Sequence, residues 1–172
     1  MCIRDRLVDA GGDTTRNLLS AGMVALLEHP EQLAALRADP KLVPNARDEL
    51  LRWVSPVIYM RRTATEDVEL GGQKIRAGDK VVMYYGSANR DTDAFDEPDK
   101  FDISRAAAKH LAFGHGTHVC LGQHIARAEI DAMLTEVLDR MNDLELSKPP
   151  VWLPSNFISG PQSMPVSFTA SK

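Results

Sequence analysis

The sequence is poor in cysteine, lacks a long apolar run and has no excess of basic residues. Its 2 cysteines lie 118 positions apart, form no disulfide framework and fit a reducing compartment, so we expect a cytoplasmic protein. The longest apolar stretch, residues 18–27, is interrupted by Ser20 and Gly22 and is too short for a membrane anchor. Because 20 Lys and Arg face 24 Asp and Glu, we expect no nucleic-acid partner.

The length and the apolar pattern predict one mainly α domain with small antiparallel β-sheets. A chain of 172 residues can bury a substantial core. Helical spacing and proline positions predict helices over 7–27, 30–38, 44–54 and 121–140. The expected apolar face of the last helix comprises Leu121, Ile125, Ala128, Ala132, Val137 and Met141. Alternating patterns predict one small sheet from 59–64, 68–70, 73–75 and 80–85, and further strands near 144–146 and 166–168.

Histidine is concentrated around one cysteine. His110, His115, His118 and His124 lie with Cys120 inside fifteen residues. Imidazole and thiolate both bind zinc, although only His118 and Cys120 have a close, knuckle-like spacing. A single thiolate at the start of a helix, framed by glycines that let the backbone approach a flat ring, is instead typical of axial haem ligation. The residues by themselves leave both interpretations open, beside that of a buried cysteine among surface histidines.

Four motifs together resemble the cytochrome P450 superfamily of haem-thiolate monooxygenases, in its soluble bacterial form. The first is FGxGxHxCxG, formed by Phe113, Gly114, Gly116, His118, Cys120 and Gly122. The others are the oxygen-activating AGGDTT segment at 10–15, the ExxR motif of Glu49 and Arg52, and the loop 101–105 that ends in Arg105. The resemblance covers 7 to about 169 and implies the C-terminal portion of that mainly helical fold, with the N-terminal part missing. Residues 1–6 (MCIRDR) are expected to be a non-native leader.

The resemblance implies a haem b site in which Cys120 is the metal ligand. It also implies that His118 and Arg62 bind the propionates, although the adjacent Arg61 is an alternative and either arginine could be a surface charge. Phe113, Gly114 and Gly122 would contact the cofactor, and Glu49, Arg52 and Arg105 would form a structural triad. Catalytic roles fall to Thr14, as a hydrogen-bond donor in oxygen activation, and to Asp13, as a proton relay. A glycine-rich helix packed on a neighbour is the alternative for that segment.

The implied reaction inserts one atom of O2 into a C–H bond of a lipophilic small molecule, such as a sterol, a terpene or an alkyl chain. Electrons would come from NAD(P)H through a ferredoxin-type donor. The substrate would contact Ala10, Val57, Ile58, Phe157 and Ile158, for which core packing is the alternative. The rival functions are a zinc module and an inert fragment. We expect the chain alone to be inactive, since the helix at 7–27 would expose an apolar face comprising Leu18, Leu19, Met23, Val24, Leu26 and Leu27.

Overall fold

The computed structural model describes residues 3–105 and 109–171 as a mainly helical fold with four small antiparallel ribbons. Its helices are α1 (Ile3–Glu28), α2 (Pro30–Ala38), α3 (Val43–Val54), α4 (Tyr85–Ala88) and α5 (Gln123–Arg140). Its strands are β1 (Tyr59–Thr63), β2 (Val68–Leu70), β3 (Gln73–Ile75), β4 (Lys80–Tyr84), β5 (Met141–Leu146), β6 (Val151–Trp152), β7 (Pro161–Ser163) and β8 (Val166–Ala170). The expected fold class is confirmed.

Local sequence signals place the helix ends. Pro30 opens α2, where its missing N–H is not needed, and the helix ends at Ala38 as predicted. The residue after α3, Ser55, has a left-handed φ of 46° and stops that helix. The first helix begins at Ile3, before the predicted start at residue 7. Met1 and Cys2, part of the predicted leader, lie outside the described residues.

The core lies where α1, α3 and α5 pack together. The expectation that α1 exposes an apolar face is wrong: Leu18, Met23, Val24 and Leu26 are buried, because α1 packs against α3 and α5. Leu19 and Leu27 are half-buried. The predicted face of α5 is also wrong. Leu121 precedes the helix and is 89% exposed, and Ile125 is 75% exposed. The buried stripe is instead formed at i, i+4 and i+8 by Ile130, Leu134 and Leu138.

The predicted single sheet is wrong, since its strands form two separate ribbons. β1 pairs with β4, in a register that sets Tyr59 opposite Tyr84, and β2 pairs with β3. Tyr85, expected in a strand, opens α4. The two strands expected near the end of the chain pair as β5 and β8, whereas the β6–β7 ribbon was not predicted.

Arg37 joins α2 to the end of α5. Its guanidinium donates hydrogen bonds of 2.6 Å to the carbonyl oxygens of Leu138 and Met141. These carbonyls belong to the last turn of α5 and the residue after it, where no intrahelical partner is available. No helix in the described part of the chain is long and apolar enough to cross a bilayer.

Candidate functional site

Cys120 is held by a glycine-shaped loop just before α5. The Cys120 N–H donates to the carbonyl of Phe113 at 2.8 Å, which closes the loop onto its own start. Gly114 and Gly116 have φ values of 70° and 73°, which side-chain-bearing residues rarely adopt. A short 3-10 turn spans Gly116–His118, and Cys120 itself is exposed with a free thiol. The loop therefore presents the sulfur-bearing residue at the surface.

An open cleft of about 990 Å³ lies beside this loop. Three of the residues predicted to bind the cofactor line it: Arg62 from β1, and Gly114 and His118 from the loop. A methyl group on Gly114 would lie 3.2 Å from the Tyr85 hydroxyl, so this glycine allows the loop and α4 to approach closely. Within the described part of the chain, neither Arg62 nor His118 forms an ion pair with a carboxylate. The cleft thus holds donors that have no anionic partner.

The AGGDTT segment lies in the middle of α1. The Thr14 hydroxyl donates back to the Ala10 carbonyl at 2.8 Å, while Thr15 is buried in the core. Asp13 is exposed and pairs with Arg16 at 2.8 Å. Side chains added at Gly11 and Gly12 would meet nothing within 4 Å, so the alternative of glycines packed on a neighbour is not supported. The helix is continuous over this segment.

The structure brings Glu49, Arg52 and Arg105 together. Arg52 is fully buried and binds the Glu49 carboxylate through two hydrogen bonds, of 2.7 Å and 2.8 Å. Arg105 Nε lies 3.2 Å from Glu49 Oε2. Arg52 also donates to the carbonyls of Asn89, Pro98 and Lys100, so the ion pair fastens the long loop after α4 to α3. Removing one partner of such a buried pair costs about 3–5 kcal/mol.

Four of the five expected substrate contacts are neighbours in the structure. Val57 and Ile158 form an antiparallel bridge, and the Ile58 N–H donates to the Phe157 carbonyl at 2.9 Å. Phe157 is 41% exposed and lies edge-on to the Tyr59 ring, with centroids 5.8 Å apart. These four residues line a common tip that is only half buried. The fifth, Ala10, is exposed on α1.

The sequence profile of the family described as Cytochrome P450 matches residues 4–161. The chain belongs to the cytochrome P450 family. It is 50% identical over 168 residues to Steroid C26-monooxygenase of Mycolicibacterium smegmatis; the aligned segment covers 96% of this chain and 42% of that protein. It is 44% identical over 163 residues to Cytochrome P450-terp of a Pseudomonas species, covering 95% of this chain and 38% of that protein.

A solved structure has the same fold over this portion of the chain. Cytochrome P450 CYP109Q5 from Chondromyces apiculatus superposes with a TM-score of 0.93 at 42% identity, covering 97% of this chain and 44% of that one. The chain therefore spans about 40% of the length of the cytochromes P450 that it matches. The cofactor of this family is haem b. The relative named Steroid C26-monooxygenase is, by that name, an oxidoreductase.

The described residues fit this cofactor. Haem b is a flat apolar ring with two carboxylates and an iron, so it needs cationic or neutral donors, a thiolate or imidazole, and apolar cover. Arg62 and His118 supply donors, Cys120 supplies the thiol, and Leu121 and Ile125 supply exposed apolar surface in the same stretch of chain. The zinc alternative has no support, since no three His, Cys, Asp or Glu side chains among the described residues could hold a metal ion.

Two features of this cytochrome P450 site were not predicted from the sequence. His110, for which a surface position was one of the open alternatives, has a side chain only 3% exposed, because it packs between Asp48 and Phe113. Asn89 is fully buried and connects three segments: its amide donates to the Ser55 hydroxyl at 2.8 Å, and its oxygen accepts from the Leu111 N–H at 2.7 Å. A polar loop residue gives no sequence signal for such a role.

Proposed function

We propose that a protein carrying this chain is a haem-thiolate monooxygenase. It would insert one atom of O2 into a C–H bond of a lipophilic molecule and release the other as water, using two electrons that originate from NAD(P)H. One observation supports this most directly: the loop that presents Cys120 borders a large cleft in which Arg62 and His118 have no carboxylate partner. When bound, the haem supplies an iron that activates O2.

Cys120 is the proposed axial ligand. The neighbouring backbone supports this role, since the N–H of Cys120 is already used by the Phe113 carbonyl and the side chain remains exposed. Arg62 and His118 would donate to the propionates from opposite chain segments. Phe113 would give the sulfur apolar cover, and Gly114 and Gly122 would let the backbone approach the ring, because a side chain at Gly122 would find open space.

Thr14 and Asp13 are the proposed proton-handling residues. The Thr14 hydroxyl donates to the Ala10 carbonyl at 2.8 Å, which holds it in place; because it carries a single hydrogen, it would turn from this carbonyl to donate in oxygen activation. The Asp13 carboxylate is exposed and bound to Arg16, so it can exchange protons with solvent. The two adjacent residues thus connect solvent with the middle of α1.

The substrate is proposed to be lipophilic. The tip formed by Val57, Ile58, Phe157 and Ile158 is apolar and half exposed, and Ala10 leaves α1 free of a bulky side chain. A relative with 50% identity is named for oxidation of a steroid, which favours a sterol-like compound. A ferredoxin-type protein is the proposed electron donor. The triad of Glu49, Arg52 and Arg105 would hold the long loop after α4 against α3 without touching the substrate.

The test is the absorption spectrum of the haem-loaded full-length protein that carries this chain, after reduction and addition of carbon monoxide. We expect the red-shifted band that a thiolate ligand produces. Cys120→His should retain haem and lose that band, whereas His124→Gln, at an exposed histidine of the same stretch, serves as the control and should keep it. A red-shifted band in Cys120→Ala, or its absence from the unaltered protein, would refute the proposal.

A further inference from the structure

A charged cluster connects α3 and α5 to the loop that carries Cys120. We call it the Asp48 cluster; its members are Arg47, Asp48, His110, Arg127 and Asp131. The Asp48 carboxylate accepts hydrogen bonds from Arg47 at 3.0 Å and 3.1 Å. The same carboxylate lies 3.6 Å from Arg127 Nε and 3.8 Å from His110 Nε2. Arg47 also donates to Asp131 at 2.7 Å, which fastens the two helices together.

The ring of Phe113 packs against this cluster. The Arg127 guanidinium carbon lies 4.6 Å from the centroid of the Phe113 ring, in a cation–π contact. The His110 ring lies 5.7 Å from the same centroid. Because the Phe113 carbonyl accepts the Cys120 N–H, one residue connects the charged cluster with the sulfur-bearing residue.

Arg127 forms an ion pair with the Asp48 carboxylate, with its Nε 3.6 Å from Asp48 Oδ1. Burial of the carboxyl group opposes its ionisation, but hydrogen bonds from His110 and Arg47 and the nearby charges hold the pKa of Asp48 far below its ordinary value. Arg127 is also oriented from its own helix, since it donates to the Gln123 side chain at 3.0 Å. The guanidinium is therefore held between a permanent carboxylate and an aromatic face.

We propose that Arg127 and Asp48 are positioning residues that set the reduction potential of the Cys120-ligated iron through Phe113. This inference rests on the proposed haem-thiolate function. A cation held next to the ring that covers the thiolate stabilises the more negative, reduced state of the site. Asp48 contributes by keeping that cation over the ring and not free in solvent. Neither residue touches the cofactor.

The experiment is an equilibrium redox titration of the haem-loaded protein and its variants. Arg127→Gln keeps much of the side-chain stem and removes the charge, so we expect the one-electron reduction equilibrium to fall about threefold to tenfold. A tenfold fall is a shift of about 59 mV to more negative potential. Arg127→Lys keeps a cation and should recover at least half of this shift. Arg140→Gln, an exposed ion-pair arginine at the other end of α5, is the matched control and should not shift the potential.

Asp48→Asn tests whether Asp48 acts by positioning Arg127 or through its own negative charge. Removal of a negative charge alone would raise the potential, whereas release of Arg127 from the ring lowers it; we expect the lowering. A raised or unchanged potential in Asp48→Asn, or equal shifts in Arg127→Gln and Arg127→Lys, would overturn the inference. The carbonyl spectrum is recorded for every variant. Loss of the thiolate band from the unaltered protein would refute the proposed function, while an intact band with unshifted potentials would refute this inference alone.

Discussion

Thr14 and Thr15 are neighbours with opposite environments. Thr15 is buried, whereas the Thr14 hydroxyl lies along α1 and donates to the Ala10 carbonyl. We expect Thr14→Ala to divert reducing equivalents to hydrogen peroxide, because the hydroxyl proposed to handle protons is lost. Thr14→Ser keeps the hydroxyl and should stay coupled. The ratio of product to NAD(P)H consumed measures this, and full coupling in Thr14→Ala would remove Thr14 from the mechanism.

Asp48 makes the stability of the chain depend on pH in a defined direction. Its pKa is lowered in the folded state, while an unfolded Asp titrates near about 3.9. Its contribution is therefore fully present above that value and is lost as the pH falls toward the folded pKa. We expect the difference in unfolding free energy between the unaltered chain and Asp48→Asn to shrink below about pH 4. Glu136→Gln, at an exposed ion pair, should show little pH dependence; a constant Asp48→Asn difference would contradict the assignment.

At the scale of elements, Gly160 lies where α1 meets the tip formed by Val57, Ile58, Phe157 and Ile158. A methyl group there would lie 2.4 Å from Asn17 Oδ1, and Asn17 is buried one turn beyond Thr14. We expect Gly160→Ala to destabilise the chain by about 1–3 kcal/mol in urea unfolding, because neither segment can easily move. Asn17→Ala should relieve only part of this cost, since its Cβ would still lie 2.7 Å away.

The matched control is Gly86→Ala in α4, where the added methyl group would meet nothing within 4 Å. We expect its unfolding free energy to change by no more than about 0.5 kcal/mol. Equal effects of the two substitutions would show that the contact of Gly160 with Asn17 does not restrict the tip.

The sequence predicted the bounds of helices and strands better than it predicted which of them pack together. Pro30 and the break at Asp39 and Pro40 define α2 to the residue, because they act through the backbone alone. The β6–β7 ribbon has two residues in one strand and a proline in the other, so it has no period to detect. The choice between Ile125 and Ile130 as the buried residue of α5 depends on which side α1 and α3 occupy, and spacing cannot supply that.

The same limit applies to the site. The motifs around Cys120, Thr14 and Glu49 were found through their resemblance to a known family, and the structure brings Arg62 and His118 to one cleft. Asn89 and Asp48 could not be found, since a buried amide and a half-buried carboxylate look like solvated loop and helix residues in a sequence. Their roles follow from contacts between residues that are distant in the chain.

At the scale of the whole chain, the apolar face of α1 is not the main exposed apolar surface. The largest exposed apolar residues near the Cys120 loop are Leu121 and Ile125, with Val119 42% exposed beside them. We expect the 172-residue chain alone to self-associate, because water contacts this surface. Sedimentation velocity at rising concentration measures this.

Two paired substitutions localise the effect. Leu121→Ser with Ile125→Ser should reduce self-association, whereas Val68→Ser with Leu70→Ser, on the exposed β2, should not. A chain that stays monomeric at every concentration would contradict the expectation, and so would an equal effect of the two pairs.

The hydrogen bonds of Asn89 also affect how fast the Leu111 amide hydrogen exchanges with water. Its side-chain oxygen accepts the Leu111 N–H, and its own carbonyl accepts a hydrogen bond from the buried Arg52. The Leu111 amide hydrogen can exchange with water only when this fully buried residue separates from it. Slow exchange at Leu111 would therefore report that the approach to the Cys120 loop opens together with α3 and not as an independent surface segment.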